Sequence, residues 1–109
     1  MKYDVFLSGP MSGIDDYNRP AFNEAAAQIR ALGLTVFNPA EINDGGKLRE
    51  RAFYMRACFS ALLESASLVS LPRWASTDTG GSYRERKVAE LDLNLPCYNL
   101  AAFLREHST

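Results

Sequence analysis

Apolar and β-prone residues first gather at Tyr3 to Ser8 (Tyr-Asp-Val-Phe-Leu-Ser) and stop at Gly9-Pro10. A short run of this kind, closed by turn residues, reads as a buried strand. The loop Gly9 to Tyr17 follows. Asn18 stands where a helix N-cap belongs, with Pro20 in the first turn. Phe22, Ala26, Ile29 and Leu32 then recur at helical spacing, and Gly33 supplies a stop. Leu34 to Phe37 is a second strand, closed by Asn38-Pro39, and Ala40 to Lys47 is a polar loop. In the long helix beyond it, Leu48, Ala52, Met55, Phe59, Leu62 and Ala66 alternate steps of four and three. That spacing predicts one apolar stripe facing a core. Ser67 to Leu71 is a third strand ending at Pro72, Arg73 to Gly81 a loop, and Ser82 to Leu91 a third helix. Asn94 suits a left-handed turn. Pro96 to Tyr98 is a fourth strand, and Asn99 caps a terminal helix running through Arg105.

Strands that alternate with helices predict an α/β fold with a parallel sheet and helices on both faces. Right-handed crossovers leave few arrangements, and the flavodoxin-like order 2-1-3-4 is the natural one. In such sheets ligands bind outside the carboxyl ends of the strands, where the order reverses between strands 1 and 3. Two loops are thereby singled out: Gly9 to Tyr17 and Arg73 to Gly81.

The 109 residues suffice for a single domain, taken as 1–109. Twelve basic residues against 13 acidic ones give a net charge of −1. This is not the basic footprint of a nucleic-acid binder. No apolar run has the length of a membrane span, so no membrane partner is expected. Met1-Lys2-Tyr3-Asp4 leads straight into the strand without a signal-peptide layout. Cys58 and Cys97 lie far apart and the chain has one histidine, His107, in its tail. Neither metal-ligand spacing nor a disulfide framework is present, so no metal or other cofactor and a reducing, cytoplasmic setting are expected.

The first loop begins Gly9-Pro10-Met11-Ser12-Gly13. Its glycines let backbone approach a ligand, and N–H groups near a helix start favour anions. The spacing matches neither a Walker A loop nor a dinucleotide fingerprint, and a plain tight turn explains it equally well. The second loop contains Trp74, Asp78, Thr79, Gly80 and Gly81, and leads into Ser82-Tyr83-Arg84-Glu85. Glu85 falls one turn into the third helix, on the ligand side of the sheet. A carboxylate there can serve as a nucleophile on a sugar carbon or as a general base. The same spacing, Ser82-x-x-Glu85, also spells a capping box, in which Glu85 only satisfies a backbone N–H. Trp74 has the face to stack on a base, or simply to pack.

Taken together, these blocks resemble the nucleoside 2-deoxyribosyltransferase-like superfamily. The similarity is strongest to its short phage-type members and to the related deoxynucleoside 5′-monophosphate N-glycosidases. The resemblance spans nearly the whole chain: Val5 to Gly13, Tyr17-Asn18, Phe22, Val36 to Glu41, Tyr54-Met55-Arg56, Leu71 to Trp74, Thr79 to Glu85, and Ala89. It implies that Glu85 attacks the anomeric carbon of a nucleotide or nucleoside. It also implies that Thr79 touches the sugar or its 5′ substituent and that Gly9 to Gly13 line the pocket. A homo-oligomer is implied as well, and the apolar Leu100 to Leu104 offers either an interface or a packing face for its own sheet. This chain has Cys58 where the superfamily often carries an aspartate, with Asp78 as a possible spatial substitute. Arg19, Arg73 and Arg84 are the cations near enough in sequence to meet a phosphate.

The functional expectation is cleavage or transfer at an N-glycosidic bond through a glutamate nucleophile. The alternative, favoured by Cys58, is a module that binds a nucleotide or an ADP-ribose-like ligand without turnover. In a third reading Glu85 only caps its helix.

Overall fold

The computed structural model describes residues 2–11, 15–42, 51–72 and 81–107. Four strands, β1 (Val5–Ser8), β2 (Val36–Phe37), β3 (Leu68–Ser70) and β4 (Cys97–Asn99), form one sheet in the order β2-β1-β3-β4. Every pairing is parallel. The helices are α1 (Arg19–Arg30), α2 (Arg51–Leu63), α3 (Gly81–Lys87) and α4 (Leu100–His107). A π-helical turn at Val88–Asp92 continues α3. This is the α/β flavodoxin-like arrangement that strand–helix alternation predicts. The strands are shorter than the apolar runs that mark them. Tyr3, for instance, makes only an isolated bridge to Ser65.

Alternation along the strands divides the interior in two. Val5, Leu7, Val36, Val69 and Leu71 face one side, where they pack with Phe22, Ala25, Ala26 and Ile29 of α1 and Phe103 of α4. Phe6 and Leu68 face the other, against Cys58, Ala61 and Leu62 of α2 and Ala89. Leu100 and Leu104 also lie against the first core. The apolar face of α4 is therefore covered by its own sheet. His107 closes α4 with its ring stacked on Phe103 at 4.0 Å.

Three local expectations need correction. Asn18 holds the N-cap position of α1, but its side chain does not cap the helix. The residue is left-handed at φ 61°, and its Nδ2 instead donates to Pro10 O at 3.0 Å. The amide thus ties the loop after β1 to the start of α1. Leu32 is not part of the buried α1 face but lies in the exposed turn before Gly33. In α2 the buried positions are Cys58, Ala61 and Leu62, followed by Ser65. Of the stripe read from spacing, Leu62 is buried, Met55 and Phe59 are half-buried, and Ala52 and Ala66 are exposed. Leu48 lies outside the described residues. The stop at Gly33 (φ 87°) and the left-handed turn at Asn94 (φ 52°) are as expected.

The exposed edge of β2 is blunted by a side chain. Arg30 donates to Val36 O at 3.1 Å and forks onto both oxygens of Glu41 at 2.7 and 2.8 Å. A capped carbonyl discourages a foreign strand from pairing there. No helix among the described residues is long and apolar enough to cross a membrane.

At the crossover between β1 and β3 the chain comes very close to itself. Leu71 N donates to Ser8 O at 2.7 Å, and a Cβ on Gly9 would stand 2.8 Å from Leu71 Cβ. Glycine is required there because β3 passes too near for any side chain. Gly9→Ala is expected to destabilise the protein by about 1–3 kcal/mol through overpacking, checked by urea unfolding.

Candidate functional site

The polar interior lies on the α2–α3 side, at the carboxyl ends of β1 and β3. Phe6 and Leu68 are apolar register partners on that side. Two residues on, alternation brings Ser8 and Ser70 to the same side, again as register partners. Both serines are 1% exposed. An apolar row thus gives way to a row of buried hydroxyls just where the strands end.

Each hydroxyl meets a side chain from α3. Ser8 Oγ donates to Glu85 Oε1 at 2.7 Å. Arg86 Nη1 donates to Ser70 Oγ at 2.9 Å, while its Nε binds Glu90 Oε1 at 2.7 Å. The charge of Arg86 is thereby directed to Glu90, one turn along, and not to its sequence neighbour Glu85. The Cys58 thiol, from α2, lies beside Glu85 and bears on its charge. Three segments distant in sequence therefore meet at one carboxyl group: the end of β1, the middle of α2 and the start of α3.

Glu85 is 8% exposed. Among the described residues neither lysine nor arginine pairs with it. Burial without a counter-charge disfavours the ionised form. It pushes the Glu85 carboxyl from 4.5 up to about 7, against the smaller downward pull of the Ser8 and Cys58 hydrogen bonds. The same burial, with the carboxylate alongside, pushes the Cys58 thiol up to about 12. Cys58 thus stays protonated at neutral pH and acts as a donor, not as a thiolate nucleophile. Glu85 sits in the opposite regime, with its charge in balance near pH 7.

The capping-box alternative does not describe this geometry. Glu85 is the fifth residue of α3, which begins at Gly81. A capping-box glutamate is the third helical residue and bonds the N-cap backbone N–H. Here Oε1 accepts instead from a strand hydroxyl 77 residues away in sequence.

Of the other residues read as a site, Gly9, Pro10 and Met11 follow β1 directly. Gly9 is buried, Pro10 and Met11 are half-buried, and Met11 packs toward the α1–α4 core. Gly81 opens α3. Ser12, Gly13, Trp74, Asp78, Thr79 and Gly80 lie outside the described residues, as does Arg73. Arg19 is engaged nearby, 3.6 Å from Asp16 and over the Tyr17 ring, and Arg84 is exposed. Sequence reasoning missed Ser8, Ser70 and Arg86. Their signal is a serine that strand alternation places on a helix-covered face. An open groove of about 320 Å³ beside β2 is lined by Tyr3, Phe37 and Glu41 among others, and by none of the site residues above. Among the described residues no group of three His, Cys, Asp or Glu side chains is placed to hold a metal.

Because the folded protein holds a proton on Glu85 more tightly than the unfolded chain does, this group's contribution to stability is complete below about pH 4.5. It is lost as pH rises through about 7. The displacement corresponds to roughly 3 kcal/mol, at about 1.4 kcal/mol per tenfold step in proton affinity. Glu85→Gln keeps the shape and removes the titration. The wild type should therefore lose stability relative to Glu85→Gln between pH 5 and pH 8, read by urea unfolding at both pH values. Equal pH dependence in the two proteins would place the carboxyl in water.

A search of curated proteins finds no match to this chain. Its sequence does match a family of small domains over residues 3–96, a stretch that takes in β1, α2, β3 and the whole Ser8–Cys58–Glu85 cluster. The chain belongs to the family described as Domain of unknown function (DUF4406).

Proposed function

We propose that this protein cleaves or transfers the N-glycosidic bond of a nucleotide or nucleoside, with Glu85 as the nucleophile. The observation that carries the reading is a buried carboxyl group at the β1–β3 crossover, fixed by Ser8 and paired with no lysine or arginine among the described residues. That crossover is where sheets of this type bind ligands. A lone carboxyl in such a place is costly to bury, and groups of this kind concentrate at functional sites.

The reaction follows double-displacement chemistry. The Glu85 carboxylate attacks C1′ as the C1′–N bond breaks. The bonding electron pair leaves with the base nitrogen, which gains a proton. The product of this step is a glycosyl ester of Glu85. Water then attacks C1′, releasing the sugar, the carboxylate and a proton. A second base attacking in place of water gives transfer. The hydrogen bond from Ser8 holds one carboxyl oxygen in place, so less reorganisation is needed as the ester forms.

A second reading has one observation in its favour. Cys58 occupies the place beside Glu85 where the resembling superfamily often carries an aspartate, and its thiol is too weak an acid to protonate a leaving base at neutral pH. In that reading the cleft holds a nucleotide or an ADP-ribose-like ligand without turnover.

A panel of ribo- and deoxyribonucleosides and their 5′-monophosphates, with and without a second base, separates the two. Glycosidic cleavage is read as free or exchanged base by chromatography, and Glu85→Gln should lower it by about 10³-fold or more. Since only the ionised carboxyl attacks, kcat/KM should rise about tenfold per pH unit up to the Glu85 value of about 7 and then level. Tight binding of a nucleotide with no base released by the wild type favours the binding module. No binding and no release, with Glu85→Gln altering stability alone, would leave the residue a structural part.

A further inference from the structure

α3 brings two neighbouring, opposite charges to one side of the sheet and sets them on neighbouring strands. Glu85 accepts from Ser8 of β1 at 2.7 Å, and Arg86 donates to Ser70 of β3 at 2.9 Å. Ser8 and Ser70 are register partners, so their hydroxyls stand about 4.8 Å apart, one strand spacing. The carboxyl and the guanidinium are therefore separated by no more than about 10 Å. At that range inside a protein, an unopposed cation lowers the proton affinity of a carboxyl by about tenfold. Glu85 shows no such net pull. Burial raises it to about 7.

Glu90 accounts for the missing attraction. Its Oε1 accepts from Arg86 Nε at 2.7 Å, with the Arg86 side chain 14% exposed and that of Glu90 35%. The carboxylate is a fixed point for the guanidinium. It stands in the π-helical turn Val88–Asp92, closed by Leu93 N donating to Val88 O at 3.0 Å, and its neighbour Ala89 is fully buried. Single π turns of this kind recur at functional sites. Cys97 of β4 feels both members of the pair. Burial raises its thiol, and of the two charges near it Arg86 pulls down while Glu90 pushes up.

The other groups around Glu85 come from the elements packed against α3, which are α2, β1 and β3. α2 brings Cys58, whose thiol burial pushes up to about 12, and the half-buried Tyr54 one turn earlier. The strands bring the hydroxyls of Ser8 and Ser70. On α3 itself Arg84 is exposed and Lys87 half-buried.

We infer that Glu90 is a positioning residue for the site: it holds the Arg86 guanidinium on Ser70 and off the Glu85 carboxyl. Without Glu90, the guanidinium has another carboxylate about one strand spacing away, and a charge-assisted hydrogen bond draws it there. Where Glu85 reacts as a nucleophile, this arrangement keeps the carboxylate basic and open to attack on carbon. The inference itself concerns where a cation sits, and it holds or fails without any substrate. Its outcome is therefore separate from that of the glycosidic reading.

The Glu85 side-chain carboxyl carbon, followed by NMR in ¹³C-labelled protein across roughly pH 4–9, reports its own ionisation. Its signal is the one lost in Glu85→Gln. Glu90→Gln should lower the midpoint by about one pH unit or more, with the far-UV spectrum unchanged. Adding Arg86→Gln to Glu90→Gln should return the midpoint toward that of the wild type, because the two residues act as a unit. A merely structural role for Glu90 would cost stability in urea without moving the midpoint. Glu90→Asp keeps the charge and withdraws it by one methylene. It should shift the midpoint in the same direction by less, and it carries the test if Glu90→Gln does not fold. A midpoint that stays in place when Glu90 is changed, or one that stays equally low when Arg86→Gln is added, overturns the inference.

Discussion

The hydrogen bond from Ser8 to Glu85 joins the last residue of β1 to the start of α3 inside one face of the sheet. Much of the structure takes its meaning from that contact. The opposite face is an apolar core of the ordinary kind, with Val5, Leu7 and Val69 against Phe22, Ile29 and Phe103. The α2–α3 face starts the same way with Phe6 and Leu68, then turns polar at Ser8 and Ser70. A buried carboxyl is unfavourable unless hydrogen bonds or a cation compensate it. Here the Ser8 hydroxyl compensates it in part, and the remainder appears as a carboxyl that ionises only near neutral pH. Of the two arginines adjacent in sequence, Arg84 is exposed and Arg86 is engaged by Glu90 and Ser70. Just beyond the ends of β1 and β3 the chain approaches itself closely at Gly9 and Leu71.

Much of the fold was legible in the pattern of apolar residues, because short buried runs alternating with helical stretches admit few right-handed parallel sheets. Gly33 and Asn94 were legible because left-handed backbone favours those residue types. The face of α2 was not. Counting apolar residues every three or four positions found the row through Met55 and Phe59, whereas burial centres on Cys58, Ala61, Leu62 and the following Ser65. Small and weakly polar side chains fit closest to a sheet, yet they register faintly in a hydropathy count. The count therefore mixed positions: Leu62 is buried, Met55 and Phe59 are half-buried, and Ala52 and Ala66 are exposed. Asn18 misled for a related reason. An asparagine before a helix has the chemistry of a cap, but its amide has other acceptors within reach, and Pro10 O is the one it takes.

The site was legible in part. The topological rule and a family resemblance both led to Glu85, while local spacing offered a helix cap as an equal explanation. A contact between residues 77 apart in sequence decides between them, and no local pattern contains it. Ser8 escaped notice because a serine at the end of an apolar run reads as the place where a strand gives out. In the fold it is the residue that holds the carboxyl. Cys58 was conspicuous as a departure, and its position beside Glu85 turns that departure into a chemical question. The architecture hosts many activities, so the case for glycosidic chemistry rests on this carboxyl and its neighbours and not on the sheet that carries them.

The most direct test of that case is to trap the ester itself. A nucleoside or nucleotide with fluorine at C2′ of the sugar slows both steps, because the transition state carries positive charge near C1′. After incubation, the intact protein would be weighed by mass spectrometry and the labelled peptide sequenced. The account requires a mass gain equal to the fluorosugar, without its base, located on Glu85. Base release from ordinary substrates with no such adduct, or with the sugar attached to another residue, would contradict it.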